Sequence, residues 1–155
     1  MFASLLQRLT GASPEPFLET DARLAMAALL VRLARSDGDY AHVEIERIES
    51  ILRTRYGLTA DAANELRHSA ELLEETAPDT VRFTRAIKNA VPYENREAVV
   101  ESAWQVVLAD GARADEEDAL MRMVANLLGV NDRDSHLARQ RAQLAKLAQS
   151  AQSAE

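Results

Sequence analysis

The chain has 155 residues, 47% of them hydrophobic and 5% aromatic, with a net charge of −7 and no cysteine. That length suits one domain with a substantial core, and the acidity excludes nucleic acid as a main partner, because phosphate binding needs a basic surface. The missing cysteine excludes disulfides, thiol catalysis and cysteine zinc sites, and permits a reducing compartment.

In chain order, Phe2, Leu5, Leu6 and Leu9 fall at i, i+3, i+4 and i+7 and predict a short amphipathic helix ending at Gly11. Only Arg8 lies beside it as a positive charge, so electrostatic membrane capture is weak. Docking on its own domain or on a protein partner is the stronger expectation, and membrane contact is confined to residues 1–11. The segment lacks the basic start and the apolar length of a secretory leader. Ser13-Pro14-Glu15-Pro16 forms a stiff connection, so residues 1–16 read as a segment and linker ahead of a helical domain over 17–133.

The first main helix spans about Leu18 to Arg35. Between Leu24 and Ala34 only Arg32 is polar, and a helix apolar nearly all round belongs at the centre of a bundle. The run Leu24 to Val31 is far below the ~20 residues a membrane helix needs, so a cytoplasmic protein is the expectation. A second helix, His42 to Tyr56, carries Ile45, Ile48, Ile51 and Leu52 on one face and stops at Gly57. Thr59 caps a third, Ala60 to Glu75, with Leu66, Leu72 and Leu73. Pro78-Asp79 opens a fourth, whose Arg82, Arg85 and Lys88 form a basic stripe, read first as a solvated face. After Val91-Pro92, Asn95 is expected to cap a fifth helix reaching Ala109, with Val99, Val100, Ala103, Trp104 and Val107 inward. A sixth runs from Asp115 to Leu128 and ends at Gly129. Asp132 or Asp134 is expected to cap a last helix within 134–155, with a frayed tail from Ala148. The fold class is all-α: a single compact bundle of about seven to eight helices, its alanine and leucine content favouring close packing through small residues.

One pattern occurs twice. Asp37-Gly38 is followed after five residues by Glu44, and Asp110-Gly111 after five residues by Glu117. Each motif separates two apolar helices, which makes a helix–acidic turn–helix pseudo-repeat. Glu44 lies four residues before Ile48 and seven before Ile51; Glu117 stands the same way to Met121 and Val124. Both acids therefore head core-facing stripes, where charge is less expected. Asp37 and Asp110 sit at helix C-terminal ends, where the macrodipole disfavours negative charge by up to ~1 kcal/mol. Two accounts stand open. Each Glu bonds back to a free N–H of its own helix, half a capping box; the Ser or Thr of the full box is replaced by Ala41 and Ala114. Alternatively a cation (arginine, lysine or a hard metal ion) answers the carboxylates.

The paired Asp-Gly-x5-Glu turns between apolar helices resemble the tellurite-resistance protein B (TerB) family, whose domain also occurs at the N-terminus of certain membrane-anchored DnaJ-like co-chaperones. The resemblance covers about Phe17 to Arg133 and is carried by Asp37, Gly38, Glu44, Asp110, Gly111 and Glu117. It implies an all-helical fold, suspected metal binding through these acids, and no established enzymatic activity. The metal-ligand candidates are Asp37, Glu44, Asp110 and Glu117, with Asp39 and Asp115 as second choices and Gly38 and Gly111 shaping the turns. The expected cofactor is a divalent cation, Ca²⁺, Mg²⁺ or Mn²⁺, and the expected partner is a protein.

Other chemistry finds little support. An EF-hand needs Gly at loop position six and Glu at twelve, which neither turn provides. Glu65-Leu66-Arg67-His68 is a single Glu-x-x-His element where a di-iron bundle needs two. His42-Val43-Glu44 lacks the cysteines of a zinc deaminase, and phosphate loops and dinucleotide glycines are absent. The expectation is a non-enzymatic, stress-linked module that binds a cation or a partner. A protein adaptor with purely structural turns is the alternative, followed by a metal-dependent hydrolase.

Overall fold

The computed structural model describes residues 19–36, 40, 42–76, 80–109 and 115–153, without the side chains of 19–21, 115–117 and 149–153. Seven helices account for it: α1 (Glu19–Arg35), α2 (His42–Tyr56), α3 (Ala60–Thr76), α4 (Val81–Ala90), α5 (Tyr93–Val107), α6 (Asp115–Leu127) and α7 (Asp132–Ser153). No strand occurs among the described residues, and none of their helices is long and apolar enough to cross a membrane. The expected amphipathic helix over Phe2 to Leu9 lies outside the described residues.

The apolar run of α1 occupies the centre. Every residue from Leu24 to Ala34 except Arg32 is buried, and α1 packs against α3, α4, α5 and α2. Ala25, Ala27, Ala28 and Ala34 keep its surface shallow; Ala63, Ala70 and Ala86 do the same on the facing helices. Small side chains on both partners let helix axes approach closely, and Leu29, Leu30, Phe83 and Ile87 fill what remains. A second layer forms where α5 packs on α7 through Val99, Ala103 and Val106 on one side and Ala138 and Ala142 on the other.

The helix ends follow local chemistry. Gly57 (φ 64°) and Gly129 (φ 77°) take the left-handed conformation. Leu58 N–H donates to Arg53 O (3.1 Å) and Val130 N–H to Ala125 O (2.8 Å), the six-residue closure of a Schellman motif at both ends. Thr59 caps α3 through Ala62 N–H (3.2 Å). Two expected caps are displaced. Asn95 lies inside α5, which Pro92 starts: its fixed φ of −60° leaves its carbonyl to accept Asn95 N–H at 2.9 Å. For α7 the cap is Asn131, whose Oδ1 accepts Asp134 N–H at 2.8 Å, so Asp132 and Asp134 are first-turn acids. The tail expected to fray stays helical to Ser153. Of the third helix's leucines Leu73 is buried and Leu72 exposed, and the fourth helix's Arg85 and Lys88 face solvent.

Candidate functional site

Of the predicted carboxylates, Glu44 is the one whose side chain is described. It sits in the first turn of α2 and is 2% exposed, at the head of the buried row Ile48, Ile51 and Leu52. The inward position read from spacing is therefore observed. A carboxylate this deep costs several kcal/mol unless charge or donors answer it. The helix N-terminus supplies part, ~0.3–1 kcal/mol, more where burial thins the screening. His42, two residues earlier, points the other way and pairs with Glu46 at 2.9 Å on the exposed face. Asp37, Gly38, Asp39, Asp110 and Gly111 lie outside the described residues. Asp115 and Glu117 fall in the first turn of α6, with their side chains outside the description.

The described residues that lead into the second turn have neighbours from α2 and α7. Arg47, one helical turn beyond Glu44, lines a void of about 10 Å³ together with Leu108 and Ala109, the residues leading into Asp110. Lys146 of α7 lines the same void, and its Nζ donates to Leu108 O at 2.6 Å. That bond places a cation at the C-terminal end of α5, where the macrodipole is negative and Asp110 follows.

Charge also organises the flank of the first turn. At the end of α1, Ser36 Oγ donates to Leu33 O (2.7 Å), Arg35 pairs with Glu74 (2.7 Å), and Arg32 bonds Glu74 Oε1 (3.3 Å) and Glu74 O (3.1 Å). Beyond the turn, the Tyr40 ring lies under the Arg35 guanidinium at 5.0 Å. On the adjoining side Arg67, its side chain 10% exposed, bridges Glu49 (3.1 Å) and Glu71 (2.7 Å), while Asn64 donates to Glu49 at 3.0 Å. Sequence reading missed this network; Glu65-Leu66-Arg67-His68 was weighed only as a metal element. Its inner residue is the arginine, and Glu65 and His68 face solvent. Among the described residues no group of three or more His, Asp or Glu gathers as metal ligands do.

Tyr40 provides a test of the packing beside the turn. Its hydroxyl is closed to solvent, with the Glu71 carboxylate and the Arg67 guanidinium next to it. Burial pushes its pKa well above the usual 10.0; the Glu71 carboxylate adds to the shift and Arg67 opposes it. The folded protein therefore keeps a proton that the unfolded chain loses near pH 10, so this contribution is complete below that pH and drains away as pH rises above it. Replacing Tyr40 with Phe should cost ~1–2 kcal/mol at neutral pH, as the phenol's polar contact with Glu71 and Arg67 is lost. It should also flatten the decline in stability above about pH 10. Urea denaturation of both proteins from neutral to alkaline pH measures it; a Tyr40→Phe curve falling as steeply as the parent's would show that the phenol is not the group responsible.

Compared with known proteins, residues 23–140 match the family model described as "Tellurite resistance protein TerB". No curated protein and no solved structure matches. The match takes in both acidic turns and every helix, α1 and α7 in part.

Proposed function

Since the chain belongs to the tellurite resistance protein TerB family, we propose that it is a non-enzymatic, stress-linked module whose two acidic turns bind a divalent cation. The residues that would hold the ion are Asp37, Glu44, Asp110 and Glu117, with Asp39 and Asp115 in reserve. All would donate carboxylate oxygen, which suits a hard ion such as Ca²⁺, Mg²⁺ or Mn²⁺. The observation that supports the reading is Glu44, a carboxylate 2% exposed at the head of an apolar stripe. Arg47 of α2 lines the same void as Leu108 and Ala109 at the end of α5, which is compatible with a joint role.

The test is a thermal melt of chelator-stripped protein, repeated with Ca²⁺, Mg²⁺, Mn²⁺ and Zn²⁺. An ion at ~100 times its dissociation constant should add ~2.7 kcal/mol, a rise of roughly 5–10 °C for a domain of this size. The rise should vanish in Asp37→Asn with Asp110→Asn. A rise that survives the double substitution would place the ion elsewhere.

A second reading, a protein adaptor with purely structural turns, has its own support. Lys146 already brings positive charge to the end of α5. Leu137, Leu144 and Leu147 stand exposed along α7, the last two at 66%, a row that a partner helix could cover. Under this reading no ion moves the melt, while Glu44→Gln still destabilises the fold.

A further inference from the structure

The cleft between α5, α6 and α7 holds polar groups that nothing above uses. It is about 260 Å³ in volume, and its walls include Trp104, Arg122, Ser135 and Arg139, with Asp118 and Asp132 also on its lining. The Arg139 guanidinium lies over the Trp104 ring at 5.2 Å. Trp104 Nε1–H donates to Ser135 Oγ at 3.3 Å. Ring, guanidinium and hydroxyl are thus held in one fixed arrangement.

Three features of that arrangement ask for an acceptor. Ser135 is 7% exposed and accepts the indole N–H, and its own hydroxyl proton meets no acceptor among the described residues. The Nε of Arg139 is shut off from solvent without a hydrogen-bond partner. Neither Arg139 nor Arg122 forms an ion pair among the described residues, although two carboxylates line the same cleft. A partly buried guanidinium outside any ion pair keeps donors to offer. The cleft also opens at the first turn of α7, whose dipole favours negative charge.

We propose that this cleft is a binding site for a small oxyanion: free phosphate, or the carboxylate or phosphate group of a compact metabolite. The anion accepts the Ser135 hydroxyl proton and is gripped by the two guanidiniums, Arg139 pre-set by its stacking on Trp104 and Arg122 closing from α6. The volume is just below the ~300–1,000 Å³ of ordinary small-molecule pockets, so an ion or a short acid fits and a nucleotide does not. Asp118 and Asp132 set the opposing charge; they hold affinity down and disfavour ligands with more than one remote anionic group. The residues that would hold the anion, Arg122, Ser135 and Arg139, are not among those proposed to hold the cation.

Trp104 is the single tryptophan of the chain, so its fluorescence reports on this cleft directly. The full-length protein is titrated at neutral pH with inorganic phosphate, and separately with acetate, at ionic strength held constant with chloride. A saturable change with either anion, absent with chloride alone, is the expected result, and the anion that saturates at lower concentration identifies the group recognised. Arg122→Gln should weaken it at least ~5-fold with an unaltered melting temperature, as loss of one charge-assisted bond implies. Asp132→Asn, also at an exposed position, should tighten it ~2-fold or more. A response that stays linear with both anions overturns the site, and so does one that Arg122→Gln leaves unchanged.

Discussion

Leu30→Ala is expected to destabilise the protein by ~3–5 kcal/mol, enough to lower its melting temperature by roughly 10 °C or more. Leu30 is 0% exposed, and it lies in the run Leu24 to Ala34 of α1, where every residue but Arg32 is buried. A cavity at a domain's edge can shrink as one element slides inward. A cavity beside α1 cannot, because small residues (Ala63 and Ala70 of α3, Ala86 of α4) already let these helices pack closely on α1. Residual cavity volume adds to the lost transfer energy, which puts this site in the upper part of the range for such substitutions. Leu144→Ala on the exposed face of α7 is the control and should change stability by under ~0.5 kcal/mol. Denaturant unfolding of the three proteins settles the comparison; a loss below ~2 kcal/mol for Leu30→Ala would mean that α1 can repack and is not the fixed centre of the bundle.

Arg67→Met should cost ~2–3 kcal/mol for a different reason. The guanidinium is the shared partner of Glu49 and Glu71, whose side chains are 26% and 18% exposed. Removing it leaves two partly buried carboxylates near one another and near the buried phenol of Tyr40. Breaking a fully buried pair costs ~3–5 kcal/mol; remaining contact with solvent lowers the figure here. The loss should shrink when Glu49→Gln and Glu71→Gln are added, since the cost belongs to the stranded charges and not to the arginine's own contacts. Added salt should partly restore Arg67→Met and leave Leu30→Ala where it is. Equal loss in the triple substitution would assign the effect to packing of the Arg67 stem instead.

How much of this was legible beforehand varies with the kind of interaction. Leu24 to Ala34 carries its burial in its own composition, and the inward row from Glu44 to Leu52 in its spacing. Gly57, Gly129 and Thr59 mark helix ends because left-handed backbone and a hydroxyl at a cap are local demands. Asn95, Asp132 and Asp134 misled for an equally local reason: several residues near one boundary can cap, and Pro92 or Asn131 held the competing position. Nothing local announces that Arg67 reaches Glu49, eighteen positions away, or that Lys146 closes the end of a helix thirty-eight positions earlier.

The sequence by itself determined the all-helical class, the central helix, the duplicated acidic turns and the family, because hydrophobic period, glycine stops and motif spacing act within a few residues. Only the tertiary structure decided which charges meet. Glu44 ended inside the protein, Lys146 on the Leu108 carbonyl at the end of α5, and Arg139 on the face of Trp104. The physical reason is that burial follows from pattern along one helix, whereas pairing depends on how separate helices cross. Crossing is set by many small side chains acting together, and no single stretch of the chain records it.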